Sequence, residues 1–146
     1  MPNPLQSPGS NGLGLLAIRL PMGILFCATG YNKLSKSGID KFVASYVKEV
    51  PSYMPDWFPR YYLSALPFAE MVLGAFIIVG MLTRISGFLA SCLVISFLMY
   101  TGIHDASAYQ LPFHPNFFFL GITLLLFFTG GGKYSVDSRL FNAGEK

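Results

Sequence analysis

The chain has 146 residues, of which 53% are apolar, 16% are aromatic and only 12% are charged, and its net charge is +3. A typical soluble domain has about 25% charged residues, so this composition indicates a membrane protein. The basic residues are few and dispersed, which argues against a nucleic-acid partner and suits a chain flanked by anionic lipid headgroups.

Four apolar stretches are long enough to cross a bilayer as helices, at approximately 13–31, 61–82, 85–103 and 111–129. A helix of roughly 20 residues spans the hydrocarbon core of about 30 Å. The first stretch is not expected to be a cleaved signal peptide, because its leader has no basic residue and Arg19 interrupts the apolar run. The sequence therefore predicts one all-α membrane domain over 1–146, an integral membrane four-helix bundle.

The connection between the first two stretches has a helical pattern of its own. Over approximately 38–50, apolar residues recur at three- and four-residue steps with charged residues between them, after a candidate cap at Ser37 and before Pro51. The pattern predicts an amphipathic helix in the membrane interface, or alternatively a lid over a site between the spans. The next connection is expected to be a very short turn at Thr83 and Arg84, which makes spans two and three a tight antiparallel hairpin.

Two charged residues interrupt the apolar spans, Arg19 and Glu70. A charge near the bilayer centre costs a few kcal/mol, so Glu70 is expected to face the bundle interior. Arg19 is one candidate partner. If both helices begin flush with the membrane, however, their depths differ by roughly 9 Å, so a direct pair requires a register shift. Arg19 could instead extend to the nearer headgroups.

A second group of partners for Glu70 lies at the other end of the spans. Lys33 closes span one, and Tyr100 and His104 are four residues apart on one face of span three. Carboxylate, amine, phenol and imidazole groups exchange protons and bind polar headgroups such as a quinone carbonyl. The candidate polar interior site therefore comprises Arg19, Lys33, Glu70, Tyr100 and His104, with no catalytic role assigned to any of them.

Cysteine and histidine spacing limits the cofactors. Cys27 and Cys92 do not form a C-x-x-C motif, which argues against thiol–disulfide exchange. No cluster has zinc or iron–sulfur spacing, so no metal site is predicted. His104 and His114 could hold a haem, but two histidines at one membrane edge are a weak signal for it.

The segment GGGKYSVDSRL begins at Gly130. It lacks the preceding strand and the Ser or Thr after the lysine that a phosphate-binding loop needs. Its glycines are predicted to end span four, with Lys133 and Tyr134 at the membrane interface.

Three stretches, LLAIRLPMGILFCATGYNKL, PFAEMVLGAFIIVGMLTRISGFLAS and GGGKYSVDSRL, together resemble the DoxX family of small four-helix membrane proteins. In that family the first span has an arginine, a glycine-rich middle and a closing G-x-x-K. The second has an acid, then glycines and a Leu-Thr-Arg turn, and the chain ends after G-[PG]-G-[RK]-Y-S-[LV]-D. The matching positions here are Arg19, Gly23, Gly30, Lys33, Glu70, Gly74, Gly80, Thr83, Arg84, Lys133, Tyr134, Ser135 and Asp137. The connection over 37–60 is longer than expected for short members, which suggests a specialised subgroup.

The resemblance implies an integral protein of the bacterial inner membrane, with lipid and other membrane or membrane-associated redox subunits as partners. The family takes its name from the small membrane subunit of a thiosulfate:quinone oxidoreductase, so quinone is the cofactor it suggests. One implied function is a redox-complex subunit that binds quinone and handles its protons. The alternative is a non-catalytic accessory or assembly subunit that stabilises a larger complex. A transporter or proton channel ranks last, because the sequence has neither a repeated half nor a pair of broken helices.

Overall fold

The computed structural model describes residues 10–35, 38–47, 55, 57–104 and 115–141. Within these ranges the chain is all-α and contains no strand, as predicted. The helices are α1 (Ser10–Ser35), α2 (Gly38–Tyr46), α3 (Trp57–Val79), α4 (Thr83–His104), α5 (Pro115–Thr129) and α6 (Val136–Phe141).

The long helices coincide closely with the predicted spans. Among the described residues, α1 over Gly12–Ser35 and α3 are long and apolar enough to cross a membrane, and α4 and α5 contain shorter apolar stretches, Thr83–Met99 and Pro115–Thr129. The helix predicted over 38–50 is α2, which ends at Tyr46; residues 48–50 lie outside the described ranges. The predicted start of span four, at 111, also lies outside them.

Helix α1 packs along α3, α4 packs along α5, and α3 joins the two pairs by contacting α4. Gly23 and Gly74 allow α1 and α3 to approach closely, because a Cβ atom added at either glycine would lie 2.7 Å from the other's carbonyl oxygen. Between α4 and α5, the Ser91 hydroxyl donates a hydrogen bond of 2.9 Å to Thr123 Oγ1. Glycines thus allow close packing within the α1–α3 pair, and the Ser91–Thr123 hydrogen bond links α4 to α5.

The core between the helices is apolar, and so is much of the outward surface. The buried cluster is formed by Met22, Phe26, Leu73, Ile77, Ala90, Val94 and Leu126. Large apolar side chains are also exposed on the outer faces of the long helices, among them Ile24, Phe68, Val72, Ile85, Phe88, Phe118 and Phe128. Soluble monomers rarely expose apolar patches of this extent, whereas lipid chains cover them without penalty.

The turn between α3 and α4 differs from the one predicted. It occupies Gly80–Leu82, and Thr83 already begins α4, so the placement at Thr83 and Arg84 was wrong. Gly80 (φ 73°) and Leu82 (φ 49°) adopt left-handed backbone conformations. The Asp137 carboxylate then accepts hydrogen bonds from the backbone N–H groups of Leu82 (2.6 Å) and Thr83 (2.8 Å). A carboxylate from a distant helix therefore caps α4 and sets where the turn ends.

Candidate functional site

The interior carboxylate Glu70 forms a salt bridge with Lys33. Lys33 lies in the last turn of α1 and its Nζ donates a hydrogen bond to Glu70 Oε1 from the middle of α3. The Glu70 side chain is only 2% exposed, while that of Lys33 is 23% exposed. The second carboxylate oxygen, Glu70 Oε2, is buried and has no hydrogen-bond partner among the described residues. The Lys33–Glu70 pair therefore has one free acceptor inside the helices.

Two phenylalanine rings surround the ammonium group of Lys33. Its Nζ lies 5.5 Å from the ring centroid of Phe42 and 5.1 Å from that of Phe97, within the range of a cation–π interaction. Phe42 belongs to α2 and Phe97 to α4, so each of the helices α1 to α4 contributes one side chain to this point. We call Glu70, Phe42 and Phe97 the cradle of Lys33. Through Phe42, α2 covers the salt bridge.

A hydrogen bond between Tyr62 and Ser96 lies beside the cradle, and sequence reasoning did not find it. The Tyr62 phenol bonds the hydroxyl of Ser96, which itself donates to the Leu93 carbonyl (2.7 Å). Tyr62 and Phe97 pack against one buried apolar cluster that includes Phe42. The available signal was the spacing of Tyr62 and Glu70, which are eight residues apart and lie on adjacent faces of one helix.

Two other predicted site residues are placed only in part. Tyr100 and His104 lie on the last turns of α4, and their side chains fall outside the described part of the chain, as does His114. Their joining of the Lys33–Glu70 site therefore stays a prediction. Among the described residues, no three His, Cys, Asp or Glu side chains come together as a metal site requires.

Arg19 does not pair with Glu70, and it does not extend to the headgroups, so both expectations for this residue were wrong. Its side chain is 1% exposed and donates hydrogen bonds to three backbone carbonyls. Nη1 bonds the carbonyl of Gly131 (2.6 Å), and Nη2 bonds those of Ile78 (3.3 Å) and Tyr134 (3.2 Å). The depth difference from Glu70 explains the lack of pairing. The last carbonyls of α3 and the loop after α5 provide acceptors at the depth of Arg19 instead.

The segment after α5 holds these acceptors in place. Helix α5 ends at Thr129, as the glycines predicted, and Gly130 and Gly132 have φ values of 75° and 71°. Asp137 N–H donates to the Gly80 carbonyl (3.0 Å), which fixes the segment against the α3–α4 turn. A Cβ atom on Gly80 would collide with the Arg19 guanidinium. Arg19, the α3–α4 turn and residues 130–137 thus form one structural unit, which we call the Arg19 hub.

A family model described as DoxX matches residues 14–102, more than half of the chain. The chain belongs to the DoxX family. The matched region contains Arg19, Lys33 and Glu70, whereas the DoxX segment at 130–137 lies beyond it. No curated protein and no solved structure gives a significant match. Membership of the DoxX family and the two long apolar helices found among the described residues both indicate a membrane protein.

Proposed function

We propose that this DoxX protein is a membrane subunit of a redox complex and that the Lys33–Glu70 site binds the polar headgroup of a quinone. The observation that carries the proposal is the buried Glu70 Oε2, which has no hydrogen-bond partner within the described part of the chain. An unsatisfied buried acceptor costs about 1 to 3 kcal/mol, and more when it is charged. A ligand that presents a hydroxyl hydrogen to this oxygen offsets that cost.

The residues at the site match the chemistry of such a headgroup. The bound quinone would supply the redox chemistry, taking up two electrons and two protons. The Lys33 ammonium would donate a hydrogen bond to an oxygen of the headgroup, and the Glu70 carboxylate would accept a hydrogen bond from a hydroxyl of the reduced, quinol form. Phe42 and Phe97 provide flat apolar surfaces against which a ring packs. In this proposal the electron-carrying group belongs to a partner subunit.

The membrane arrangement is part of the proposal. Helices α1, α3, α4 and α5 would all cross a bacterial inner membrane as a four-helix bundle. The 22 residues of α4 extend about 33 Å at 1.5 Å per residue, and the outer faces of α4 and α5 expose Phe88, Ile95 and Phe128. The exposed aromatic side chains of Trp57 and Tyr61 suit the interface, where α2 would lie.

The proposal is tested by Glu70→Gln, which removes the acid and keeps the shape of the side chain. The full chain is expressed in its native membrane, purified in an uncharged detergent and extracted for quinone. We expect stoichiometric quinone in the wild type and at least a tenfold loss of bound quinone and quinone-linked activity in the variant, because a hydrogen-bonded charged group is worth roughly 1.5 to 3 kcal/mol.

The matched control is Asp40→Asn, which changes an exposed carboxylate on α2. It should leave both quantities unchanged. A folded Glu70→Gln protein with full quinone content and full activity would contradict the proposal.

A non-catalytic accessory subunit is the second candidate. It is favoured because the buried residues Glu70 and Arg19 both have partners within the chain. Glu70 forms a salt bridge with Lys33, and Arg19 bonds backbone carbonyls. Copurification separates the two functions. Recovery of a redox protein or stoichiometric quinone supports the first. Recovery of a large complex that loses amount or size when this chain is deleted, with no quinone on this chain, supports the second.

A further inference from the structure

The cradle of Lys33 has the composition of a recognition site for an ammonium group. A carboxylate oxygen bonds Nζ directly, and two aromatic ring centroids lie 5.1 and 5.5 Å from it. Proteins hold organic ammonium ligands with this combination of a negative charge and aromatic faces. Here the chain's own lysine fills the position.

Of the two charged members of this group, Lys33 is better able to leave. Its side chain is 23% exposed, whereas Glu70 is 2% and Phe42 is 8% exposed. It stands in the last turn of α1, so its flexible stem can redirect the ammonium group toward the membrane surface. The cradle residues come from α2, α3 and α4, so none of them shares a helix with Lys33.

Glu70 also has more acceptor capacity than Lys33 uses. Lys33 bonds Oε1 alone, and the buried Oε2 has no partner in the ranges that the structure describes. A primary ammonium has three N–H donors, so a ligand placed more centrally between the rings could bond both oxygens. The free oxygen is a second observation, independent of the ring geometry, that points to a ligand.

We propose that Glu70, Phe42 and Phe97 form a binding site for the primary alkylammonium group of an amphiphile, and that Lys33 is a built-in occupant which this ligand displaces. The ligand is either an aminophospholipid headgroup or a free lipophilic amine. This site shares Glu70, Phe42 and Phe97 with the proposed quinone site, so the two ligands would compete, but its test uses no quinone and can succeed or fail without the redox role.

The test is rescue of Lys33→Ala by butylammonium. The full chain is purified in an uncharged detergent, and thermal unfolding is followed with increasing butylammonium, with butanol as the uncharged control. We expect a saturable rise in Tm of about 5 to 10 °C when butylammonium exceeds its Kd about a hundredfold. The rise should be smaller in the wild type, because the tethered lysine competes, and butanol should produce none.

Two further variants make the result specific. Lys33→Ala combined with Glu70→Gln should lose the butylammonium effect, and Lys41→Ala, which removes an exposed lysine of α2, should behave as the wild type does. If Lys33→Ala does not fold, Lys33→Met takes its place. Absence of a Tm rise in the folded variant, or an equal rise with and without Glu70, would overturn the proposal.

The source of the ammonium is determined with wild-type protein in lipid nanodiscs. Retention of phosphatidylethanolamine over phosphatidylglycerol in native mass spectra, lost in Glu70→Gln, identifies a lipid headgroup. Rescue by butylammonium without this retention identifies a free amine.

Discussion

Arg19 and Glu70, the two buried charged residues in the described part of this DoxX protein, are held in different ways. At the Arg19 hub, a cation that is 1% exposed bonds three backbone carbonyls, one near the end of α3 and two in the segment between α5 and α6. The Glu70 carboxylate instead bonds the flexible side chain of Lys33 through Oε1, and Oε2 has no hydrogen-bond partner among the described residues. The first arrangement holds helices together, whereas the second can exchange a partner. Burial alone therefore does not distinguish a charge whose partners are fixed in the backbone from one whose partner is a flexible side chain.

The largest effect is expected from Arg19→Met, which leaves the carbonyls of Gly131, Ile78 and Tyr134 without their donors. The free energy of unfolding should fall by about 3 kcal/mol, because each unsatisfied buried acceptor is costly and only part of this is regained by no longer burying a cation. Thermal unfolding of the solubilised protein measures the loss. Arg60→Met, at an exposed arginine of α3, is the control and should change little. A stable Arg19→Met protein would mean that the hub is not structural.

The Lys33–Glu70 pair should respond differently to single and double substitution. Lys33→Met leaves a buried carboxylate without its cation and should lower stability by about 2 kcal/mol. Adding Glu70→Leu should restore most of it, because an apolar pair replaces an ion pair. Thermal unfolding of Lys33→Met, Glu70→Leu and the double variant gives the coupling energy between the two side chains. Additive losses would contradict a direct interaction between the two side chains.

Loss of the helix cap at Asp137 should have a smaller effect. Asp137→Ala removes both hydrogen bonds to the N-terminus of α4 and should cost about 1 to 2 kcal/mol. Hydrogen exchange should become faster at the amides of Leu82 and Thr83. Unchanged exchange there would show that residues 130–137 do not cap α4 in the membrane.

The smallest effect is expected from Tyr62→Phe, which deletes one hydroxyl and its bond to Ser96. Stability should fall by about 1 kcal/mol, and Tyr61→Phe, an exposed neighbour, should have no effect. Tyr62→Phe could also lower the quinone content while its loss of stability stays at about 1 kcal/mol. That result would mean that the phenol contacts the ligand and that Tyr62 belongs to the Lys33–Glu70 site.

Much of the helical architecture could be predicted, because apolar runs and their breaks are local properties. The interior position of Glu70 followed from its depth, and Lys33 was among its expected partners. The partners of Arg19 could not be predicted, since a backbone carbonyl has no sequence signature and Gly131 is 112 residues away. The α3–α4 turn was misplaced for the same reason, because its cap comes from Asp137, 54 residues beyond Thr83. Contacts made across such separations depend on helix docking, which residue spacing does not encode.

The separation between Arg19 and Gly131 also imposes an order on assembly. Ribosomal synthesis delivers α1 first, and two of the three acceptors of Arg19, the carbonyls of Gly131 and Tyr134, emerge only after α5. Until then the guanidinium must stay hydrated or be held by the insertion machinery, since an unpaired charge is costly in lipid. Residues 130–137 therefore complete the bonding of Arg19, so a helix that is synthesised before α5 reaches its final bonding state only after α5.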